Sequence, residues 1–346
     1  MVHLILRSTI ITCLAVCFVA AYPCAVAAES ATDRIDPQRV RTAIEKSLKR
    51  LELASAGSAD ERTCFTCHNQ AMPILVIAEA QRQGFKVDQY NLKRQVEHTY
   101  KHLERGKKNY LEGKGQGGKV DTAGYALWAL AAGGRTADEL TTAVVEFLLK
   151  YQSDRDHWRS SSQRPPSEAS PFTSSFVALR AMRHFGTDTQ KERIRKREQQ
   201  LVNWLAAAKP KDTEDQVFRL RAWQILDCDK QRLQAAAKEL IAEQQDDGGW
   251  RQNGELTSDA YATGSVLVAL RTGRFVGADE AIFQRGTAFL LDTQQEDGSW
   301  HVASRSKPFQ TYYETGFPHE KDQFISCSAS SWASLALLHA LSAGTR

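Results

Sequence analysis

The segment QQDDGGW at Gln244–Trp250 returns about fifty residues later as QQEDGSW at Gln294–Trp300. A repeat at this period is typical of stacked helical or strand units that share one core. Each copy ends a Leu/Ala-rich amphipathic stretch and precedes another, so it predicts the corner between two helices. Asp-Gly allows positive φ after a helix, the Gln amide can bond helix-end groups, and the Trp is a large apolar plug. We interpret the corner as structural rather than ligand-binding.

The rest of the chain predicts helices that alternate in character, and no strands. A helix that is apolar on nearly all sides must be buried, whereas an amphipathic one can face water. Six of each predict an all-α fold, a closed double-layered α/α toroid of six helical hairpins. The amphipathic helices are predicted over 37–55, 88–106, 136–152, 188–206, 230–245 and 279–294, and the apolar ones over 66–82, 121–132, 170–185, 214–226, 259–271 and 326–342.

The loops that precede the apolar helices are long, as in 155–168 and 302–323. Because the inner helices of a toroid run parallel, these loops should gather at one rim of a central cavity. Loops on a rigid scaffold are where function usually lies. The sequence therefore predicts the functional site at the end of the ring where the inner helices begin, called the N-terminal rim below.

The pattern of residues 1–27 is typical of a signal peptide. Met1–Arg7 carries one Arg, Ser8–Ala21 is apolar and uncharged, and Ala25–Ala27 is a small-x-small cleavage site. The apolar run is too short to span a membrane, and no later segment predicts a span. We expect a soluble exported protein, in the periplasm of a Gram-negative-type bacterium, with residues 28–346 forming one toroid domain. Lys and Arg (45) nearly balance Asp and Glu (41), which gives no indication of nucleic-acid binding.

A longer string surrounds the second corner: Arg-Gly-x-x-Phe-Leu-x-x-x-Gln-x-x-x-Gly-x-Trp over Arg285–Trp300. It resembles the QW repeat of squalene–hopene cyclases and other terpene cyclases, and the related repeats of protein prenyltransferases. A second copy lies at Leu240–Trp250 and a weaker one at Phe147–Trp158. The resemblance covers about residues 120–346 and implies a six-hairpin toroid, in agreement with the helix count.

The resemblance does not carry an activity over. Triterpene cyclases have an Asp-x-Asp-Asp acid segment, whereas the nearest segment here, Thr257–Gly264, holds only Asp259, which we interpret as a helix N-cap. The zinc ligands of prenyltransferases have no match at Cys228 or Cys327. The order of motifs along nearly the whole mature chain also resembles exported bacterial proteins described only as squalene-cyclase or prenyltransferase repeat proteins, which implies no established reaction.

The motif Cys64-Phe-Thr-Cys67-His68 carries chemistry of its own. In an exported protein C-x-x-C-H is typical of covalent c-type haem attachment, with two thiols on the vinyl groups and the His on iron. A Cys64–Cys67 disulfide and a structural zinc site are the alternatives, although zinc would need a fourth ligand that is not evident. The sixth iron ligand, or a distal polar group at the same rim, would come from Met72, His157, His301 or His319.

Other side chains are assigned more loosely. His98 and His102 lie four residues apart on an outer helix and are predicted to face solvent. The last loop mixes aromatic residues with an acid, and it either plugs the rim or lines a ligand pocket. Cys228 and Cys327 are predicted to be buried thiols, with a disulfide between them left open. The candidate catalytic residues are Asp259, Tyr261, Tyr313 and Glu314.

Three functions remain open from the sequence. One is a haem-c protein with redox or electron-transfer chemistry at the rim and a periplasmic redox partner. The second is a haem-free binding module, or a cyclase- or transferase-like enzyme, for an apolar isoprenoid or lipid. The third is a periplasmic scaffold.

Overall fold

A computed structural model describes residues 34–307 and 311–341, together with Met1. The chain divides into two compact units, Met1–Asp33 and Arg34–Arg346, and all the helices described below belong to the second. The predicted signal peptide, residues 1–27, lies outside the described residues apart from Met1.

The described part of the chain is helical and holds no β-strand, only isolated bridges at Arg164–Glu168 and Arg251–Ser258. The first inner helix is preceded by a π-helical turn, Cys67–Ala71, and the last by a 3₁₀ turn, Glu320–Asp322. The helices are α1 (Pro37–Glu61), α2 (Met72–Arg82), α3 (Gln89–Arg105), α4 (Lys107–Leu111), α5 (Lys119–Ala132), α6 (Glu139–Lys150), α7 (Pro171–Phe185), α8 (Lys191–Ala207), α9 (Thr213–Ile225), α10 (Lys230–Ala242), α11 (Ala260–Thr272), α12 (Ala281–Thr293) and α13 (Gln323–Leu341).

The inner layer is a closed ring. Helices α2, α5, α7, α9, α11 and α13 each pack on the next, and α13 packs back on α2. These are the apolar helices of the sequence, buried on nearly all sides, as α5 and α11 show. The amphipathic helices α1, α3, α6, α8, α10 and α12 lie outside them. The predicted α/α toroid is therefore confirmed, with the short α4 as an addition.

One helix in the described residues, Glu320–Leu341, is long and apolar enough to cross a membrane by length and composition. It contains α13, which packs between α11 and α2 as part of the inner ring. Its apolar character is accounted for by burial in this core.

The repeated Trp side chains hold the hairpins together. Trp158, Trp250 and Trp300 are at most 1% exposed. Each indole Nε1 donates to the carbonyl of the residue ten positions earlier, near the end of the preceding outer helix, at 2.7–3.0 Å. This geometry agrees with the interpretation that the corners have a structural role and hold neighbouring helices together.

The last corner also joins the end of the chain to its beginning. The Gln294 amide donates to the carbonyls of Ala43 in α1 and of Gly298, at 2.9 and 3.1 Å. Gly298 has a φ of 90°, and a Cβ there would lie 2.5 Å from the backbone carbon of Lys46. The corner after α10 makes the equivalent contact with α12 through Gln244. In these two copies the repeat thus docks its corner on the next outer helix, and the last copy joins α12 to α1.

Candidate functional site

Loops cover the N-terminal rim, where the sequence predicts the site. The last loop lies so close to α1 that a Cβ on Gly57 would be 2.2 Å from the Thr315 carbonyl oxygen. Gln323 fixes this loop by accepting a hydrogen bond from the Thr315 amide at 2.9 Å. A second loop is held by the ion pair of Arg164 with Glu168. Of the two alternatives for the last loop, this packing corresponds to the one in which the loop covers the N-terminal rim.

The two candidate residues of the last loop have different surroundings. Tyr313 is 8% exposed and packs between the Arg62 guanidinium, 4.6 Å from its ring centroid, and the Phe324 ring, 5.4 Å away. Burial raises the pKa of Tyr313. Glu314 is exposed and accepts a hydrogen bond from Tyr312. Tyr313 thus anchors the loop, while Glu314 faces solvent.

Asp259 is the N-cap of α11, as the sequence predicts. One carboxylate oxygen accepts from the Ala262 amide and the other from the Gln252 side chain, both at 2.9 Å. Burial raises the pKa of Asp259. Both oxygens are already used in holding local structure, so the position is that of a cap. Tyr261, in the first turn of the same helix, is buried beside Glu214.

The C-x-x-C-H segment places its three side chains differently. Cys64 is exposed. Cys67 begins the π-helical turn and is partly buried. Burial raises the pKa of the Cys67 thiol, and the nearby charges of Glu168 and Asp121 raise it further. The His68 ring packs on Phe324 with the centroids 4.9 Å apart. All four described cysteines carry free thiols, with no bridge from Cys64 to Cys67 or from Cys228 to Cys327.

The His68 imidazole has two features of a metal-binding histidine: it is uncharged, and one of its ring nitrogens has no hydrogen-bond partner among the described residues. Burial, and the nearby Arg164 charge, lower the pKa of His68 to about 3, so its imidazole is neutral at ordinary pH. Its Nε2 is buried and has no hydrogen-bond partner among the described residues. Such an atom is costly unless something binds it. The unpartnered His68 Nε2 and the exposed Cys64 thiol are thus compatible with a covalently attached haem, while the half-buried Cys67 thiol lies near Arg164 and Glu168.

A structural zinc ion receives no support from the side-chain arrangement. Within the described part of the chain no group of three or more His, Cys, Asp or Glu side chains is placed to hold a metal ion.

The prediction that His98 and His102 face solvent is wrong for His102, whose ring Nε2 is buried, whereas His98 is half-buried. The His98 Nε2 lies 3.1 Å from the Cys64 carbonyl oxygen, and the His102 ring lies 6.0 Å from the Phe65 ring. Burial lowers the pKa of His102 to about 4. The helical period does not reveal this, because the chain between α1 and α2 crosses α3 and covers that face.

His301 and His319 come together at the N-terminal rim, with ring centroids 4.8 Å apart. His301 Nε2 lies 2.9 Å from an Asp322 carboxylate oxygen, and His319 Nε2 lies 2.9 Å from the Ser299 hydroxyl. Both imidazoles thus have protein partners. Within the described part of the chain, neither ring contacts His68.

The other two candidate iron ligands also have partners. The His157 ring stacks on Trp204, with centroids 4.3 Å apart, and its Nδ1 lies 2.6 Å from an Asp156 carboxylate oxygen. Met72 is 3% exposed and forms the first residue of α2. In the arrangement described, these side chains serve packing and local hydrogen bonding.

A cavity of about 550 Å³ lies at the opposite end of the ring. It is lined by all six inner helices, mostly by residues in their C-terminal halves. Its mouth carries the exposed residues Arg82, His184 and Thr272. Trp128, Phe176 and Trp332 are at most 6% exposed and form an aromatic floor. The sequence predicts the functional site at the N-terminal rim, whereas this cavity opens at the other end of the ring, because loops cover that rim.

Arg221 occupies the floor of this cavity and is 7% exposed. Its guanidinium carbon lies 4.6 Å from the Phe176 ring centroid, 5.1 Å from Trp128 and 5.2 Å from Trp332. Nη1 is buried without a hydrogen-bond partner in the described structure. Burial, reinforced by the charge of Arg180, lowers the pKa of Arg221 to about 9, so the group remains charged at neutral pH.

Arg180 places a second guanidinium beside the first. Its guanidinium carbon is 5.1 Å from the Trp128 centroid, so both cations contact one indole. Its Nε is buried and unpartnered among the described residues. The sequence signal that could have revealed both arginines is a charge in the C-terminal half of an inner helix, as in FVALRAM for Arg180 and VFRLRAW for Arg221.

Glu214 lies two turns before Arg221 on α9 and is 3% exposed. It accepts a hydrogen bond from the Thr173 hydroxyl at 2.7 Å, and its second oxygen is buried without a partner among the described residues. Burial raises the pKa of Glu214 to about 8. It is thus largely neutral at pH 7 and gives Arg221 little compensating charge. Asp121, bonded by the Ser174 hydroxyl at 2.6 Å, is a second buried acid, with its pKa raised by burial to about 7.

The fold is a six-hairpin α/α toroid with an aromatic, arginine-bearing central cavity. The structure is similar to the type II terpene cyclase MstE from Scytonema, with a TM-score of 0.56 and 13% identity over 88% of this chain and 98% of that one. It is also similar to a possible GH105 family member from Klebsiella pneumoniae, with a TM-score of 0.55 and 11% identity over 96% and 99% of the two chains. At these identities the likeness shows the fold alone.

Two further MstE structures are similar as well, variants in complex with geranylgeranyl dihydroxybenzoate as substrate and merosterolic acid A as product. No family model and no curated protein matches the sequence.

Proposed function

We propose that the protein binds a small molecule with a large apolar part in the central cavity. The observation that carries the proposal is the aromatic floor, in which Trp128, Phe176 and Trp332 meet at the base of a cavity of about 550 Å³. Ligand pockets are commonly about 300–1,000 Å³ and are lined mainly by apolar and aromatic side chains. Leu75, Val268 and other aliphatic side chains complete the wall.

The solved structures of similar fold support this class of ligand. MstE variants bind geranylgeranyl dihydroxybenzoate as substrate and merosterolic acid A as product. A toroid of this kind can therefore enclose an apolar chain. The proposed function is binding of such a molecule; Asp259, the nearest counterpart of a cyclase acid, has both oxygens engaged as an N-cap.

Filling part of the cavity should weaken binding. Ala132 is the last residue of α5 and lines the cavity. We expect Ala132→Trp to weaken the binding of 1-decanol and of decanoate at least about tenfold, because the indole takes the place of the ligand. Isothermal titration calorimetry of the mature chain measures both affinities.

Ala207→Trp is the matched control, since Ala207 is the last residue of α8 and is exposed on the outer layer. It should leave both affinities unchanged. Equal binding of the probes to wild type and Ala132→Trp would place them elsewhere and contradict the proposal, as would the absence of binding of any probe to the wild type.

A second candidate function is redox chemistry by a c-type haem. The observation that favours it is the neutral, buried His68 imidazole with its unpartnered Nε2, next to the exposed Cys64 thiol. In a haem-bearing form Cys64 and Cys67 would hold the porphyrin through thioether bonds, and His68 would bind iron. The haem would supply one-electron chemistry. Export to the periplasm, predicted from residues 1–27, would provide the compartment.

Protein matured in a periplasm competent for cytochrome c maturation should then be coloured, with a Soret band and a haem stain that survives denaturation. Cys64→Ala with Cys67→Ala should remove the stain, and Cys228→Ala should not. Colourless wild-type protein from such a host would contradict the haem proposal while leaving the cavity proposal intact.

A further inference from the structure

We propose that Arg180 and Arg221 form an anion-binding site at the floor of the central cavity, which recognises a carboxylate or phosphate group on an otherwise apolar ligand. This inference rests on the proposed binding function and adds the chemical class of the ligand. It is distinct from the motifs that the sequence brings forward, all of which lie elsewhere in the fold.

The first observation is charge without compensation. Two guanidinium groups contact the same Trp128 indole, one of them on a residue only 7% exposed. Neither is in an ion pair or hydrogen bond with any described residue, and each has a buried nitrogen without a partner. Burying a charge is costly unless it is paired. Like charges side by side raise that cost, and an anion between them would remove it.

The surrounding acids do not fill this role. Glu79, the acid that lines the cavity, pairs with Arg82 on the same helix at the mouth and accepts from Gln83. Glu214 lies two turns before Arg221 on α9, does not line the cavity, accepts a hydrogen bond from Thr173, and is largely protonated at neutral pH. The remaining titratable groups of the lining are His184 and His339, whose pKa values burial lowers. The cavity floor thus keeps a net positive charge.

A structural explanation exists for cations at the mouth but not for those at the floor. Six inner helices end around the cavity, and their C-terminal partial charges favour Arg or His in the last turn, an effect that fades beyond that turn. Arg82 and His184 are such residues. Arg180 and Arg221 lie before the last turn of α7 and α9. Helical side chains lean toward the N-terminus, which takes these guanidinium groups further from the helix ends.

The geometry also suits an oxyanion. A guanidinium is planar and offers parallel N–H groups that match carboxylate and phosphate oxygens. The aromatic rings hold the flat groups by cation–π contact and leave donor edges available. The same rings, with Leu75 and Val268, surround the space into which an apolar tail would extend. The site thus combines an anion-binding base with an apolar wall.

The test is a titration of the mature chain with three probes that share a ten-carbon tail: decanoate, decyl phosphate and 1-decanol. We expect at least one anion to bind about tenfold or more tightly than the neutral alcohol, since hydrogen bonds to charged groups are the stronger ones. Arg221→Gln and Arg180→Gln should each reduce that preference about tenfold while leaving 1-decanol binding unchanged. A preference for decanoate indicates a carboxylate ligand and a preference for decyl phosphate a phosphate ligand.

Arg219→Gln is the matched control. Arg219 lies on the same helix, but it pairs with Glu239 at 2.8 Å and does not line the cavity. This variant should retain the anion preference. Thermal unfolding of the three variants identifies any that fail to fold, and the two cavity variants provide independent readings.

Two results would overturn the inference. If 1-decanol binds as tightly as both anions, the cavity binds apolar molecules and the proposed function stands without an anion site. If Arg221→Gln and Arg180→Gln are folded and keep the anion preference, the anion is bound elsewhere. Failure of every probe to bind contradicts the proposed function itself.

Discussion

Trp300→Ala should destabilise the protein by about 3–5 kcal/mol, the range for removing a large buried aromatic side chain. The Trp300 ring is 1% exposed, and its Nε1 donates to the Leu290 carbonyl at 2.8 Å. Its corner is also the one that docks on α1 through Gln294. The substitution leaves a cavity, orphans a carbonyl and loosens the contact that closes the ring. Urea unfolding followed by circular dichroism gives the change in free energy of unfolding.

A graded control separates volume from hydrogen bonding. Trp300→Phe keeps most of the packing but loses the Nε1 donor, so we expect a smaller loss, about 1–3 kcal/mol. A loss below about 1 kcal/mol for Trp300→Ala would mean that the repeated corner does not staple the ring, contrary to its geometry.

Glu214 should make the protein less stable as the pH rises from about 5 to 9. Burial raises the pKa of Glu214 from an ordinary value of 4.5 to about 8. Between these values the folded protein holds a proton that the unfolded chain has released. Stability is therefore full below pH 4.5 and falls until pH passes 8. At about 1.4 kcal/mol per pKa unit, the difference amounts to about 3–5 kcal/mol.

Glu214→Gln should remove this part of the pH dependence, because an amide of the same shape carries no proton to lose. The variant should be about as stable as wild type at pH 5 and more stable at pH 9, as measured by unfolding across that range. Glu255→Gln, at an exposed loop position, should follow wild type at every pH. Parallel stability curves for wild type and Glu214→Gln would show that Glu214 does not titrate in this way.

The fold was accessible from the sequence because its determinants are local. The Gln-Gln-x-Asp-Gly-x-Trp corner carries its own capping, positive-φ and packing residues within one segment. The alternation of amphipathic and apolar helices gives the two layers. The prediction that Asp259 caps a helix is confirmed for the same reason, since capping needs only the next three residues.

The site was less accessible because it depends on loop packing and on the direction of single side chains. Nothing local indicates that the last loop folds over Gly57 and covers the N-terminal rim. His102 reads as a surface residue of an amphipathic helix until the segment at Phe65 is placed against it. Arg221 and Arg219 lie two residues apart on the same inner helix, and only the three-dimensional structure shows that Arg221 lines the cavity while Arg219 pairs with Glu239 outside it.

The proposed binding of an apolar anion in the central cavity is tested most directly by locating such an anion in a crystal. Crystals of the mature chain grown with 10-bromodecanoate allow the bromine to be located by anomalous scattering. We expect the bromine within the central cavity and the carboxylate on the guanidinium groups of Arg180 and Arg221. Bromine found only at the N-terminal rim or on the outer helices, with the cavity free of the probe, would contradict it.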